Sequence, residues 1–449
     1  MRLAGPYTAI LPGQQHADLL RHDLESLLTA LRSRPSAAWD QLLSAPVADD
    51  LRRLFERARA EHAGPFVLPS DVLFPKERYP IQSVFTGREQ AALTIEDADA
   101  LQMLRQVVSG EWRDLPEDSE AWGLAGDLQE LGALVEPPPA LDCERPGIYR
   151  LQHASVLYRS ASGTGIVVDP VSGLDEAGWI SPLAIAGIDA VLVTHSHADH
   201  FEPLTLMQFP RHTTIVVPHV PRSSMLCPDM AAILRDAGFT NVIVAPWFSR
   251  IRIKDVDVRV YPFYGEQPWL SFAAPVADLR NHGNTYVVEM DGCKSWLLVD
   301  SGQEYGHAMT ELCEVVLRDV GSIDIVMSNL RTFSWHPRQI DGSGRYLFCF
   351  PESVLSRPDT WPTGTMTLGP RGVHQLLSIL EPRCFLPYAH WWHPRERTPH
   401  TVDPEHSEAD LLAAVRDAGG PLITEVRSWQ VGDRIAWCDR ALSIAPALG

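Results

Sequence analysis

The chain has 449 residues, 45% of them hydrophobic, and its 57 acidic against 38 basic side chains give a formal net charge of −19. That length allows two domains and a large core. The acidic balance, with no basic run, excludes a nucleic-acid partner, because phosphate binding needs clustered Lys and Arg. No apolar run is long enough to span a bilayer, and Met1–Tyr7 lacks the charged head and apolar body of a signal peptide, so no membrane partner and a cytoplasmic location are expected. The cysteines (Cys143, Cys227, Cys293, Cys313, Cys349, Cys384 and Cys438) are scattered, with no Cys-x-x-Cys pair, and read as buried free thiols.

In chain order, the first 145 residues are predicted to be mainly helical. Ala17–Leu28 and Asp49–Ala58 have apolar residues at helical spacing and charges on the opposite face. Ile95–Val108 and Ser119–Leu134, closing in Leu131–Glu136, read as the helices and turn of a small winged-helix unit used for docking or homodimerisation. Pro137-Pro138-Pro139 marks the linker, so the expected domains are 1–145 and 146–449.

From residue 146 the pattern changes to short apolar strands alternating with helices. Thr214–Val217, Val242–Ala245, Ile323–Met327 and Arg383–Leu386 are predicted strands, and the alternating run Ile251–Tyr261 reads as one long strand. Ala231–Ala237, Met309–Val320, Val373–Leu380 and Ala409–Ala418 have helical spacing. This suits an α/β fold of the αββα type, two sheets faced by helices. Leu330–Leu368 has little periodicity and is rich in aromatics, as an ordered lid would be.

The most informative stretch is Thr194-His195-Ser196-His197-Ala198-Asp199-His200, which follows the apolar run Ala190–Val193. A buried strand ending in this turn delivers three imidazoles and a carboxylate to one point, half of a dinuclear metal site.

The pattern His-x-His-x-Asp-His resembles the metallo-β-lactamase superfamily. Leu151–Leu157 with Gly165–Pro170 looks like that fold's opening hairpin, Trp296–Gly302 like the strand whose terminal Asp bridges two metals, and Phe385–His390 like the strand ending in the last His ligand. The resemblance covers roughly residues 147–440. It implies that His195 and His197 hold one metal, that Asp199, His200 and His390 hold the other, and that Asp300 touches both. In hydrolytic members the first metal takes a third His from a later loop, and here Glu266 stands at that place, past the end of a strand. His282, 18 residues before Asp300, is the competitor. Glu266 is the better placed, because ligands in this fold leave the C-terminal ends of strands.

With Glu266 the ligands would be four neutral His and three carboxylates, a mixed N/O set that suits iron or manganese and dioxygen chemistry. That series is similar to the diiron β-hydroxylases of nonribosomal peptide pathways, relative to which this chain is shorter. The resemblance implies two Fe ions, reduced by an external electron donor, using O2 to hydroxylate or N-oxygenate an amino-acid-like substrate, free or carrier-protein-tethered, in natural-product biosynthesis. Glu266 is then the diagnostic catalytic residue. The alternative is a dizinc hydrolase of an ester, lactone or phosphodiester, in which two Zn ions activate a hydroxide that Asp199 orients. A third reading is a binding protein with a structural or vestigial metal site. His153, His282, His336, His393 and Tyr264 are candidates to surround the ligands, His153 as a hydrogen-bonded structural residue. His212, His219, His307, His374, His400 and His406 read as surface residues.

Overall fold

The computed structural model describes residues 2–3, 7–11, 53, 56–57, 60, 68–86, 90–136, 140–172, 181–267, 273–274, 276–333, 349, 364–389, 408–438 and 441–446. The predicted helix Ala17–Leu28 and the linker Pro137–Pro139 lie outside these residues. So does most of Asp49–Ala58, of which Arg53, Glu56 and Arg57 are described and helical.

Two β-sheets form the centre. The first runs Val242–Ala245, Thr214–Pro218, Ala190–Leu192, Gly165–Val168, Val156–Arg159, Gly147–Arg150, Asp433–Cys438, Ala441–Pro446 across its width. The second runs Arg250–Ile253, Val256–Pro262, Asn284–Met290, Cys293–Val299, Ile325–Ser328, Cys384–Pro387, Glu425–Val426. Strands buried on both faces need apolar residues at consecutive positions, and the sequence supplies them. In Gly165–Val168, Ile166 and Val168 point between the sheets while Val167 points outward. Leu297 and Val299 pack between the sheets and Trp296 and Leu298 outward in the same way.

Each outer face is closed by helices. Met309–Val320, Gly369–Leu380 and Glu408–Asp417 cover the second sheet, burying Leu312, Val316, Leu376, Leu377 and Leu412 against it. On the first sheet the cover comes from Met230–Asp236 and from the N-terminal segment: Leu101, Leu104, Val107 and Val108 of the helix Ala98–Ser109 share one core with Leu157, Val167, Val191 and Ile215. That helix is capped by Asp97, whose carboxylate accepts from the Ala100 amide, and ends at Gly110 with φ 86°. The architecture is therefore the expected αββα sandwich.

The structure differs from the expectations in three places. Tyr7–Ile10, Ile81–Thr86 and Gln90–Ile95 form an antiparallel three-stranded sheet in the N-terminal segment. The long strand Ile251–Tyr261 is a hairpin, Arg250–Ile253 pairing with Val256–Pro262, because Lys254 adopts φ 52° and turns the chain at Lys254-Asp255. His374 is not a surface residue: it is buried, and its Nδ1 donates to the Val415 carbonyl at 2.7 Å. Its amphipathic helix turns that side inward. Among the described residues no helix is long and apolar enough to cross a membrane, and Cys143, Cys227, Cys293, Cys313, Cys349 and Cys384 are buried free thiols.

Candidate metal centre

Chemistry-bearing residues gather where the strands of both sheets end. Past Ala190–Leu192 the chain turns through His195, His197, Asp199 and His200, with the His200 and Phe201 amides donating to the His197 carbonyl at 2.9 and 2.7 Å. From the facing sheet, Glu266 follows Val256–Pro262 and Asp300 follows Cys293–Val299.

The side chains form three overlapping groups: His195 with His197 and Glu266; His195 with His200 and Asp300; and His153 with Asp199 and His200. Glu266 Oε2 lies 3.2 Å from His195 Nε2 and 2.9 Å from His197 Nδ1. Asp300 Oδ2 is 2.9 Å, and Asp199 Oδ2 3.5 Å, from His200 Nε2. His195 and His200 rings sit 4.1 Å apart between centroids, so the two halves of the cluster share a boundary.

One carboxylate that the sequence reading left as part of a hairpin orients two of these imidazoles. Asp169 Oδ2 accepts from His200 Nδ1 at 2.8 Å and from the Thr194 hydroxyl at 2.6 Å, while Oδ1 accepts from the Thr194 amide at 2.7 Å. Since the Thr194 proton goes to Asp169, its oxygen is the acceptor for His195 Nδ1, 3.0 Å away. Both rings therefore keep Nδ1 protonated and turn an Nε2 lone pair to the cluster. The signal was available: Asp169 ends a buried strand, as the residues before His195 do.

These residues fit a metal ion. His200 Nε2 is buried and meets no hydrogen-bond donor; a lone pair held within 2.9 Å of a carboxylate oxygen needs a cation between them. Burial opposes charge on His200, yet the surrounding carboxylates of Asp199, Asp169 and Asp300 raise its pKa well above the usual imidazole value. Burial likewise opposes ionisation of Asp199, but His200 and His153 hold its carboxyl well below the usual range. The cluster thus attracts positive charge. His195 goes the other way: burial, then His200 and His197, keep it neutral and available as a ligand.

The other expected residues fall as follows. His153 Nε2 lies 3.1 Å from Asp199 Oδ2, and its carbonyl accepts from the Ala389 amide at 3.2 Å. His282 is buried and joins none of the three groups; burial and the nearby Arg280 push its pKa down to about 4. Tyr264 stacks on His307 at 4.8 Å. His336, His390 and His393 lie outside the described residues. Sequence reasoning missed Gln267 as well. Its buried amide donates to the Gly265 and Asn281 carbonyls at 3.0 and 2.7 Å and accepts from the Asn281 amide at 2.9 Å, tying the loop that carries Glu266 to the neighbour of His282.

Two sheets with a His-x-His-x-Asp-His turn at their common edge define a metallo-β-lactamase fold, and residues 164–391 match the family model described as a beta-lactamase superfamily domain, so the chain belongs to the β-lactamase superfamily. Over 306 residues it is 28% identical to the 4-amino-L-phenylalanyl-[CmlP-peptidyl-carrier-protein] 3-hydroxylase of Streptomyces venezuelae, covering 66% of this chain and 52% of that protein. The chain thus spans about half the length of the curated relative it matches. Among solved structures it resembles CmlA, a diiron β-hydroxylase from Streptomyces venezuelae (TM-score 0.57, 18% identity, 95% of this chain and 97% of that one). A mutant of the CmlA β-hydroxylase gives the same TM-score at 16% identity, covering 96% and 98%. These likenesses bear out the resemblance read from the motifs and establish the fold.

Proposed function

We propose that this chain is a dinuclear non-haem iron monooxygenase that hydroxylates an amino acid held on a carrier protein. The observation that carries the reading is Glu266, whose carboxylate faces His195 and His197 at 3.2 and 2.9 Å, where a hydrolytic site would present a third imidazole. His195, His197, Glu266 and Asp300 would hold one ion, and Asp199, His200, Asp300 and His390 the other. The relative named for carrier-bound 4-amino-L-phenylalanine supports the substrate class.

Two iron ions, when bound, supply the activation of dioxygen. In the overall reaction one oxygen atom enters a substrate C–H bond and the other leaves as water, consuming two electrons from an external donor and two protons. The chain's own residues prepare the site for this. Asp169 and Thr194 fix the imidazole tautomers. Phe263, stacked under His195 at 4.8 Å, and the apolar core between the sheets exclude water from below. His197, Glu266 and Asp199 keep 18%, 12% and 27% of their side-chain surface open, which marks the face for substrate approach.

Elemental analysis with an optical spectrum, on protein made in iron-supplemented medium, tests this first. Expected are two irons per chain, ferric absorption bleached by reductant, and O2-dependent hydroxylation of a carrier-bound aminoacyl thioester that zinc loading abolishes. Two zincs, no colour and ester cleavage would overturn it in favour of hydrolysis.

A further inference from the structure

We infer that Asn329 is a positioning residue that restricts Asp300 to offering one carboxylate oxygen to the metals; this rests on the metal-site reading above. Asn329 is buried at the end of the strand Ile325–Ser328, parallel to the strand that ends in Asp300. Its side-chain orientation is determined, because Oδ1 accepts from the Arg331 amide at 2.7 Å and Nδ2 is thereby turned to donate to Asp300 Oδ1. Oδ1 is engaged by Asn329, while Oδ2 faces the cluster, 2.9 Å from His200 Nε2.

The backbone supports the same arrangement. The register between the two strands slips between Leu297 and Val299, and Val299 adopts φ 48°, a conformation that a β-branched residue strongly disfavours. Contacts with the neighbouring strand hold it there: the Val299 carbonyl accepts from the Asn329 amide at 3.0 Å and from the Ser328 hydroxyl at 3.4 Å. Asn329 therefore grips both the bulge that aims Asp300 and the oxygen that Asp300 withholds. A carboxylate so held would offer the cluster one oxygen, Oδ2, in place of two.

The test uses the full chain with Asn329→Ala and Asn329→Asp. The aspartate has nearly the same shape and can still accept from the Arg331 amide, yet it has lost the donor. The probes are Zn(II) and Fe(II) alone, with affinity read by chelator competition and geometry by the absorption of the Co(II)-loaded and ferric proteins. Expected is a loss of metal affinity of about 10–100-fold with a changed Co(II) spectrum, in variants whose thermal transition shows them folded. Parent-like affinities and spectra in a folded variant overturn the inference. Should Asn329→Ala fail to fold, Asn329→Asp decides. Should the parent take zinc and refuse iron, the oxygenase reading falls while the Zn(II) affinities still decide the role of Asn329.

Discussion

The first sheet brings His195, His197, Asp199 and His200 to the cluster on one turn, and the second brings Glu266 and Asp300, by different means. His195 and His200 hang from a short turn after a buried strand, and one neighbouring carboxylate, Asp169, orients both. Glu266 and Asp300 arrive on backbone that a free chain avoids. Glu266 has φ 48° after Gly265 at φ 118°, and Asp300 follows Val299 at φ 48°. Non-glycine residues in this region each cost about 1–3 kcal/mol and persist only where surrounding contacts over-determine them. The imidazoles leave one short turn, oriented from a parallel strand by Asp169, itself at φ 43°, whereas the two carboxylates leave separate strained loops.

Asp169→Asn should have the largest effect, because it disturbs the imidazole side at its hub. An amide there presents N–H either toward the Thr194 amide or toward both His200 Nδ1 and the Thr194 hydroxyl, groups that already donate. Each orienting contact to a ligand is worth about 10–100-fold in metal affinity. Loss of two should weaken metal binding by about 100-fold or more and leave the purified protein nearly metal-free by elemental analysis. Full metal content would break the distinction drawn between the sheets.

Glu266→His tests the other side without dismantling the site. The variant should still hold two ions, since a third imidazole suits zinc, but with its preference moved from iron to zinc. O2-dependent hydroxylation should fall by about 100-fold, measured by product formation with iron-loaded protein. Undiminished turnover would show that the carboxylate does not set the chemistry.

Gly265→Ala addresses the backbone that carries Glu266. A Cβ at Gly265 would meet the Met366 carbonyl at 2.4 Å and the Gly302 nitrogen at 2.5 Å, both backbone atoms that cannot swing aside. The expected loss is about 1–3 kcal/mol of stability, read by chemical denaturation, together with weaker metal binding. Unchanged metal affinity would show that the strained loop is not needed to place Glu266.

The same contrast explains what the sequence made legible. The alternation in Gly165–Val168 and the seven residues Thr194–His200 are short-range patterns, and both the layers of the sandwich and the imidazole half follow from them. Glu266 was found by its place past the end of a strand. Its proximity to His197, in preference to His282, depends on Gly265, Gln267 and Met366, which come together only in the fold. Asn329 carried no local signal, because its partner Asp300 is 29 residues away on a parallel strand. The break at Lys254 was hidden for another reason: a two-residue turn between Ile253 and Val256 leaves the alternation of apolar residues almost undisturbed.

His374 gives the smallest effect and the cleanest control. Like His200 it is buried and gives its Nδ1 hydrogen to an oxygen, here the Val415 carbonyl at 2.7 Å. It differs in what its other nitrogen meets. A Cβ placed on Gly419 would come within 2.4 Å of His374 Nε2, so backbone closes over that atom where carboxylates surround His200 Nε2. A buried imidazole becomes a ligand through the acids gathered on its far side, and sequence position alone does not reveal them. His374→Ala should therefore lower stability by about 1 kcal/mol, the typical worth of one buried hydrogen bond, and leave metal content and spectrum unchanged. A variant that loses metal would mean that the helix Gly369–Leu380 transmits its packing to the site through Leu368, whose amide donates to the Ser301 carbonyl next to Asp300. In that event the carboxylate side of the cluster would extend to the outer helix layer.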